Sequence, residues 1–241
     1  MVDRPQKRNA LSRHVQDELS AVFDELAKDE SISVLVLTGA GTDNFTSGGD
    51  LVALSEIRSI EGAELMARHA RDLLDQVRRF PAPVVAAVNG DALGGGAELA
   101  MACDFRVLAA SARMAFVQGR QAITSAWGGG VDLVQLVGPS VALRLLCTTE
   151  FVEHEEGFRV GLYDRCALVD EVFAEVVDEF VAPFERQAPH VARSYKDLAA
   201  ASRMGATREQ LEDVELSNFT RNWMHDDHWA ALDAFINRRR D

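Results

Sequence analysis

A chain of 241 residues, 47% hydrophobic and 26% charged, is long enough for one sizeable core with a helical appendage and is ordinary for a globular protein. Its net charge of −13 argues against a nucleic acid or an anionic membrane surface as the main partner, while leaving room for a local basic pocket. The three cysteines, Cys103, Cys147 and Cys166, lack metal-ligand spacing, and no signal peptide or apolar run of about 18 residues is present, so buried thiols in a cytoplasmic protein are expected.

In chain order, Val15, Leu19, Val22, Phe23 and Leu26 recur at helical spacing behind Ser12, a candidate N-cap. Ile32 to Thr38 reads as a buried strand, followed by a loop from Thr42 to Asp50. A longer helix carries Ala63, Met66, Ala67, Ala70, Leu73, Leu74 and Val77, and Pro81 and Pro83 break the chain before the strand Val84 to Val88. A glycine-led helix spans Ala97 to Cys103, then Asp104 to Ala109 and Met114 to Val117 read as short strands. Ala126-Trp127-Gly128-Gly129-Gly130 opens a helix over Val131 to Val137, and Pro139-Ser140 starts another. Cys166 to Val169 is the last expected strand. From Asp170 the chain reads as helical, with a capping box at Thr207-x-x-Gln210 and a final helix from about His228 to Arg238. Asp226 or Asp227 is the expected cap of that helix, and Arg238-Arg239-Arg240 complements its C-terminus. Alternating strands and helices followed by helices alone give an α/β core over 1–182 and a helical region over 183–241. The glycine turns are not self-similar enough to read as a repeat.

Two of those turns can carry chemistry: Ser47-Gly48-Gly49-Asp50 and Gly94-Gly95-Gly96. Glycine admits close backbone approach, and a helix N-terminus directs free N–H groups at the same point. Brought together, the two turns supply a pair of N–H donors for an oxyanion, with Glu98 in the adjoining helical turn. The plainer reading, that they only let strands meet helices closely, stays open on spacing alone. Neither turn is GxGxxG and no GxxxxGK[ST] is present, which disfavours dinucleotide and P-loop readings.

Arg4-Pro5-Gln6-Lys7-Arg8-Asn9-Ala10-Leu11, Leu35 to Gly41, Ser47-Gly48-Gly49-Asp50-Leu51, Ala86 to Gly90 with Ala92 to Leu99, and Cys103-Asp104 together resemble the enoyl-CoA hydratase/isomerase (crotonase) superfamily, collinearly over about 165 residues. The resemblance implies a spiral of ββα units with a C-terminal helical trimerisation region, and assembly as a trimer or dimer of trimers. It implies an acyl-CoA substrate that brings its own coenzyme A, with no further cofactor and no metal. It places the oxyanion donors on Gly49 and Gly95 and an acid–base residue on Glu98. Substrate contacts fall on Lys7, Arg8, Ser47, Asp50, Gln118 and Trp127. The family's usual strand before Arg4-Pro5 is nearly absent, which implies a trimmed or mis-assigned start.

The second glutamate of the hydratases falls on Gln118, which hydrogen-bonds but takes no proton at neutral pH. Trp127 stands where hydratases have a small residue. With Phe219-x-x-x-Trp223 and His228-Trp229, these departures resemble the branch that decarboxylates ethylmalonyl-CoA and methylmalonyl-CoA. The resemblance thus implies decarboxylation of a short-chain alkylmalonyl-CoA. The alternatives are a hydratase or isomerase with an altered site, and a non-catalytic CoA-binding homologue.

Overall fold

A computed structural model of the chain describes residues 1–238, so Arg239 and Arg240 of the terminal arginine run lie outside the described residues. The odd-numbered strands form one parallel sheet: β1 (Leu35–Thr38), β3 (Val84–Val88), β5 (Phe105–Leu108) and β7 (Arg165–Cys166), in the order β1-β3-β5-β7. The even-numbered strands, β2 (Asn44–Thr46), β4 (Asp91–Leu93) and β6 (Met114–Ala115), form a second parallel sheet in the order β2-β4-β6. Helix α1 (Arg13–Leu26) precedes β1, α2 (Leu51–Leu54) and α3 (Ile60–Arg78) follow β2, α4 (Gly95–Ala102) follows β4, and α5 (Gly129–Val137) follows β6. Each turn of the chain is therefore a ββα unit, and three units wind into a spiral. This is the spiral that the resemblance implies; residue patterning alone hides the repeat because the second strand of each unit is only two or three residues long. The Thr42–Asp50 stretch, expected as loop, contains β2, and β4 was absorbed into the glycine turn. Boundaries shift elsewhere: β1 begins at Leu35 rather than Ile32, β6 stops at Ala115, and the last strand is Arg165–Cys166.

The β3 run Val-Val-Ala-Ala-Val is buried on both faces, as expected of a central parallel strand. Val84, Ala86 and Val88 point into the main core with Leu74, Val77 and Leu99, while Val85 and Ala87 point to the other face. That second face is covered by α8 (Phe173–Glu185) through Val176, Val177 and Val181. In chain order, α6 (Pro139–Thr148) and α7 (His154–Arg159) come between α5 and β7. Phe180 and Phe184 of α8 pack on Phe105, so the expected boundary at 182–183 falls inside a continuous helix. Helices α9 (Pro189–Arg203), α10 (Arg208–Trp223) and α11 (Asp226–Arg238) complete the described chain, and Thr207 and Gln210 form the expected capping box. At α11 the cap is His225 instead of an aspartate: its Nδ1 accepts the Asp227 N–H at 3.2 Å. Val22 is exposed although Val15, Leu19 and Phe23 of its helix are buried, and Cys147 is exposed while Cys103 and Cys166 are buried. No helix among the described residues is long and apolar enough to cross a membrane.

Arg78, Asp132 and Lys196, all buried, are paired inside the fold. Arg78, at the end of α3, binds Asp132 of α5 through Nε and Nη2, at 3.0 and 2.8 Å to Oδ2, and Asp75 at 2.7 Å. From α9, Lys196 meets both Asp104 oxygens at 2.6 Å, and Arg203 bridges Asp132 at 3.1 Å and the Ala102 carbonyl at the end of α4 at 3.0 Å. Removing one partner of such a pair strands a buried charge. Arg78→Met is accordingly expected to destabilise the chain by about 3–5 kcal/mol, read as a lower urea midpoint at unchanged slope.

Candidate active site

The sheet β2-β4-β6 builds the site. Thr46 of β2 is in register with Ala92 of β4, and three residues beyond each pair member stand Gly49 and Gly95. The two glycine turns thus leave the same sheet edge side by side. A Cβ on Gly48 would stand 2.7 Å from the Gly95 nitrogen and 2.8 Å from the Leu93 carbonyl, so the turns touch with no room for a side chain. Gly48 (φ +89°) and Gly94 (φ +53°) occupy left-handed backbone that L side chains rarely adopt. Gly95 opens α4, so its N–H has no intrahelical acceptor. Neither that N–H nor the Gly49 N–H is taken by an acceptor among the described residues. Two unspent backbone donors at neighbouring strand ends, one at a helix N-terminus, can hold a developing oxyanion.

Glu98, one turn into α4, is 2% exposed. Its Oε1 accepts the Trp127 N–H at 3.0 Å and the Gly129 N–H at 3.1 Å, and its Oε2 accepts Gln118 Nε2 at 2.9 Å. Burial pushes the Glu98 carboxyl above the usual carboxylate range, against the lowering pull of those three donors and of the Arg78 charge. A carboxyl so placed is aimed, and its raised pKa makes it readier to carry a proton than an exposed glutamate. Gly129 makes this fit possible: a Cβ there would stand 2.5 Å from the Glu98 side chain.

Gln118 comes from the third unit, just after β6, and the register Leu93 with Ala115 brings it beside Gly94 and Glu98. Its Oε1 is buried with no hydrogen-bond partner among the described residues. Trp127 is 6% exposed, and its six-membered ring faces both Gly49 and Gly95. A Cβ on Gly95 would meet Trp127 Cζ3 at 2.3 Å, and one on Gly49 would meet Cζ2 at 3.5 Å and Leu54 Cδ1 at 2.8 Å. Expected as a pocket wall from sequence, Trp127 therefore lies directly against the donors. Leu54 of α2 is a neighbour that sequence reasoning missed. The backbone N–H groups of Trp127 and Gly129 were also missed as holders of Glu98. The glycine triplet before α5 was the available signal for them.

The remaining expected contacts sit at the rim. Lys7 and Arg8 are exposed in a short 3₁₀ turn that is tied to the first glycine loop. The Arg8 carbonyl accepts the Ser47 N–H at 3.0 Å, and the Leu11 N–H donates to the Gly48 carbonyl at 2.8 Å. Ser47 is half-buried. Asp50 is engaged as the N-cap of α2, accepting the Ala53 N–H at 3.4 Å, with Arg4 at 3.8 Å. Away from the site, His190, His225 and Asp227 bring three ligand-type atoms within 4.8 Å of one another. The two imidazoles are stacked at 3.7 Å and the His225 Nδ1 lone pair is spent on the Asp227 N–H, a capping arrangement that does not offer converging lone pairs to an ion.

The chain is also similar to known proteins in sequence and in fold. The family model described as enoyl-CoA hydratase/isomerase matches residues 1–241. A crotonyl-CoA hydratase of Syntrophomonas wolfei is 30% identical over 99% of this chain and 91% of its own length. An ethylmalonyl-CoA decarboxylase of Danio rerio is 33% identical over 91% of this chain and 73% of its own. Among solved structures, an enoyl-CoA hydratase from Bacillus anthracis superposes with a TM-score of 0.89 at 28% identity, covering 98% of this chain and 90% of that one.

Proposed function

The chain belongs to the enoyl-CoA hydratase/isomerase family, and from that premise we propose that it decarboxylates a short-chain alkylmalonyl-CoA through a thioester enolate. The observation that carries this reading is the pairing of Glu98 with Gln118 in place of a second carboxylate. Water addition calls for an acid and a base around one water, and loss of either costs about 10²–10⁴-fold. Decarboxylation calls for less. The bond between Cα and the carboxylate breaks, its electron pair moves into the enolate, and CO₂ departs. The charge on the thioester oxygen is held by the N–H groups of Gly49 and Gly95, and Cα then takes one proton from Glu98, directly or through water. Trp127 walls the site on the donor side and excludes water from the substrate carboxylate. Gln118 Nε2, with one hydrogen on Glu98, has a second for that carboxylate. Lys7 and Arg8, exposed beside the first glycine loop, are the basic groups we assign to the phosphates of coenzyme A.

The hydratase reading keeps one specific support, the likeness to a crotonyl-CoA hydratase over nearly the whole chain. Incubation with methylmalonyl-CoA or ethylmalonyl-CoA, against crotonyl-CoA, separates the two. CO₂ release supports decarboxylation, and hydration of crotonyl-CoA alone contradicts it. Trp127→Ala is expected to admit longer α-substituents, read as a rise in relative kcat/KM for bulkier alkylmalonyl-CoA substrates. We further propose self-association as a trimer, or a dimer of trimers, through the helical region. There Leu216, Phe219, Trp223 and Met224 of α10 and its end are exposed. Light scattering at a monomer mass would refute it.

A further inference from the structure

The loop 126–129 has two sides with different duties. Its N–H groups from Trp127 and Gly129 face Glu98. Its carbonyls face α3: Arg71 donates to the Ala126 carbonyl at 2.9 Å and Arg78 to the Trp127 carbonyl at 3.2 Å. The Ala126 carbonyl and the Trp127 N–H are the two ends of one planar peptide unit, so Arg71 and Glu98 grip the same group from opposite sides. A cationic donor on the carbonyl fixes the tilt of that plane and polarises its N–H. Arg71 is also unlike its neighbour Arg68, which pairs with Glu64 one helical turn away, a solvated pair worth little. Arg71 instead reaches 55 residues along the chain to a backbone carbonyl. Arg78 is anchored by Asp132 and Asp75, and a Cβ on Gly128 would stand 2.7 Å from its Nη2, so the loop is fitted around the guanidinium.

We propose that Arg71, seconded by Arg78, is a positioning residue. It holds the Ala126–Trp127 peptide so that the Trp127 N–H stays on Glu98 and the indole stays against Gly49 and Gly95. This rests on the reading of Glu98 as the acid–base group of the site. The helix α3 thereby sets both the carboxylate and the pocket wall without touching substrate. Losing a donor to the ionised carboxylate raises its pKa, so loosening this peptide shifts Glu98 titration to higher pH.

The test uses Arg71→Ala, because Arg71 is exposed and its removal leaves the buried Arg78 pairs intact. The carboxyl infrared band that disappears in Glu98→Gln is titrated in the full-length wild type, Arg71→Ala and Arg71→Lys, with no substrate present. The midpoint is expected to rise by about one pH unit in Arg71→Ala and to return most of the way in Arg71→Lys, which keeps a cationic donor. On whichever thioester the wild type turns over, kcat is expected to fall roughly tenfold with KM within about twofold. An unmoved midpoint in Arg71→Ala overturns the proposal, including the case in which kcat falls or the melting temperature drops, because those changes alone mark a structural role. The titration is independent of decarboxylation, so a failure of the proposed reaction and a failure of this inference are told apart.

Discussion

Gly95→Pro is expected to lower kcat by roughly 10²–10³-fold while leaving KM little changed, because it deletes one of the two oxyanion donors. Proline is sterically compatible with the first position of a helix, so the N–H is removed at a place where α4 itself does not use it. Gly95→Ala makes the companion measurement. It keeps the N–H, but its Cβ would stand 2.3 Å from Trp127 Cζ3, so the indole must move away from the site. Pairing Gly95→Ala with Trp127→Leu relieves that clash and is expected to recover part of the lost rate. Proline brings the same Cβ against Trp127, so in Gly95→Pro the second substitution is expected to recover only the steric share and to leave the donor loss uncorrected. Steady-state kinetics of the four variants separate donor loss from steric displacement. A Gly95→Pro, Trp127→Leu double variant as fast as Gly95→Ala, Trp127→Leu would contradict the role given to the Gly95 N–H.

Gln118→Glu is expected to confer crotonyl-CoA hydration, raising it by about 10²–10⁴-fold over the wild type, and to depress decarboxylation. The new carboxylate would stand where Gln118 Nε2 now lies, 2.9 Å from Glu98 Oε2. Two carboxylates that close share a proton, and the pair titrates with one apparent pKa raised and one lowered. Such a pair supplies the acid and the base that water addition requires. It also puts a second negative charge against the substrate carboxylate and removes the amide donor that would orient it. Hydration unchanged by Gln118→Glu would show that the scaffold lacks more than one group of a hydratase.

Much of this site was legible in the sequence, for reasons specific to it. Residue type marks the two glycine turns, whose form is dictated by positive φ at Gly48 and Gly94 and by contact with each other, while the candidate roles of Gly49, Gly95, Gln118 and Trp127 came from the family resemblance. Gly49, Gly95, Glu98, Gln118 and Trp127 are brought together by the fold. The ββα spiral was expected from the family resemblance and is borne out, but residue patterning alone did not show the repeat. Its even strands, β2, β4 and β6, are two or three residues long, too short for a periodicity of two to register, and they are held by neighbours rather than by their own propensity. Without that sheet, the pairing of Thr46 with Ala92 that sets Gly49 beside Gly95 was out of reach. Backbone groups were equally hidden: the Trp127 and Gly129 N–H groups that hold Glu98, and the Ala126 carbonyl gripped by Arg71, carry no side-chain signature. The cap of α11 went to His225 because its Nδ1 is a serviceable acceptor, a use of histidine that capping preferences rank low.

The central claim is that this site stabilises an enolate formed by loss of CO₂. Its most direct test is CO₂ release from methylmalonyl-CoA and ethylmalonyl-CoA by the wild-type chain, followed together with the acyl-CoA product. The expected result is one saturated acyl-CoA for each CO₂, with release abolished in Gly95→Pro and little hydration of crotonyl-CoA. Efficient hydration of crotonyl-CoA with no CO₂ from either malonyl thioester would contradict it.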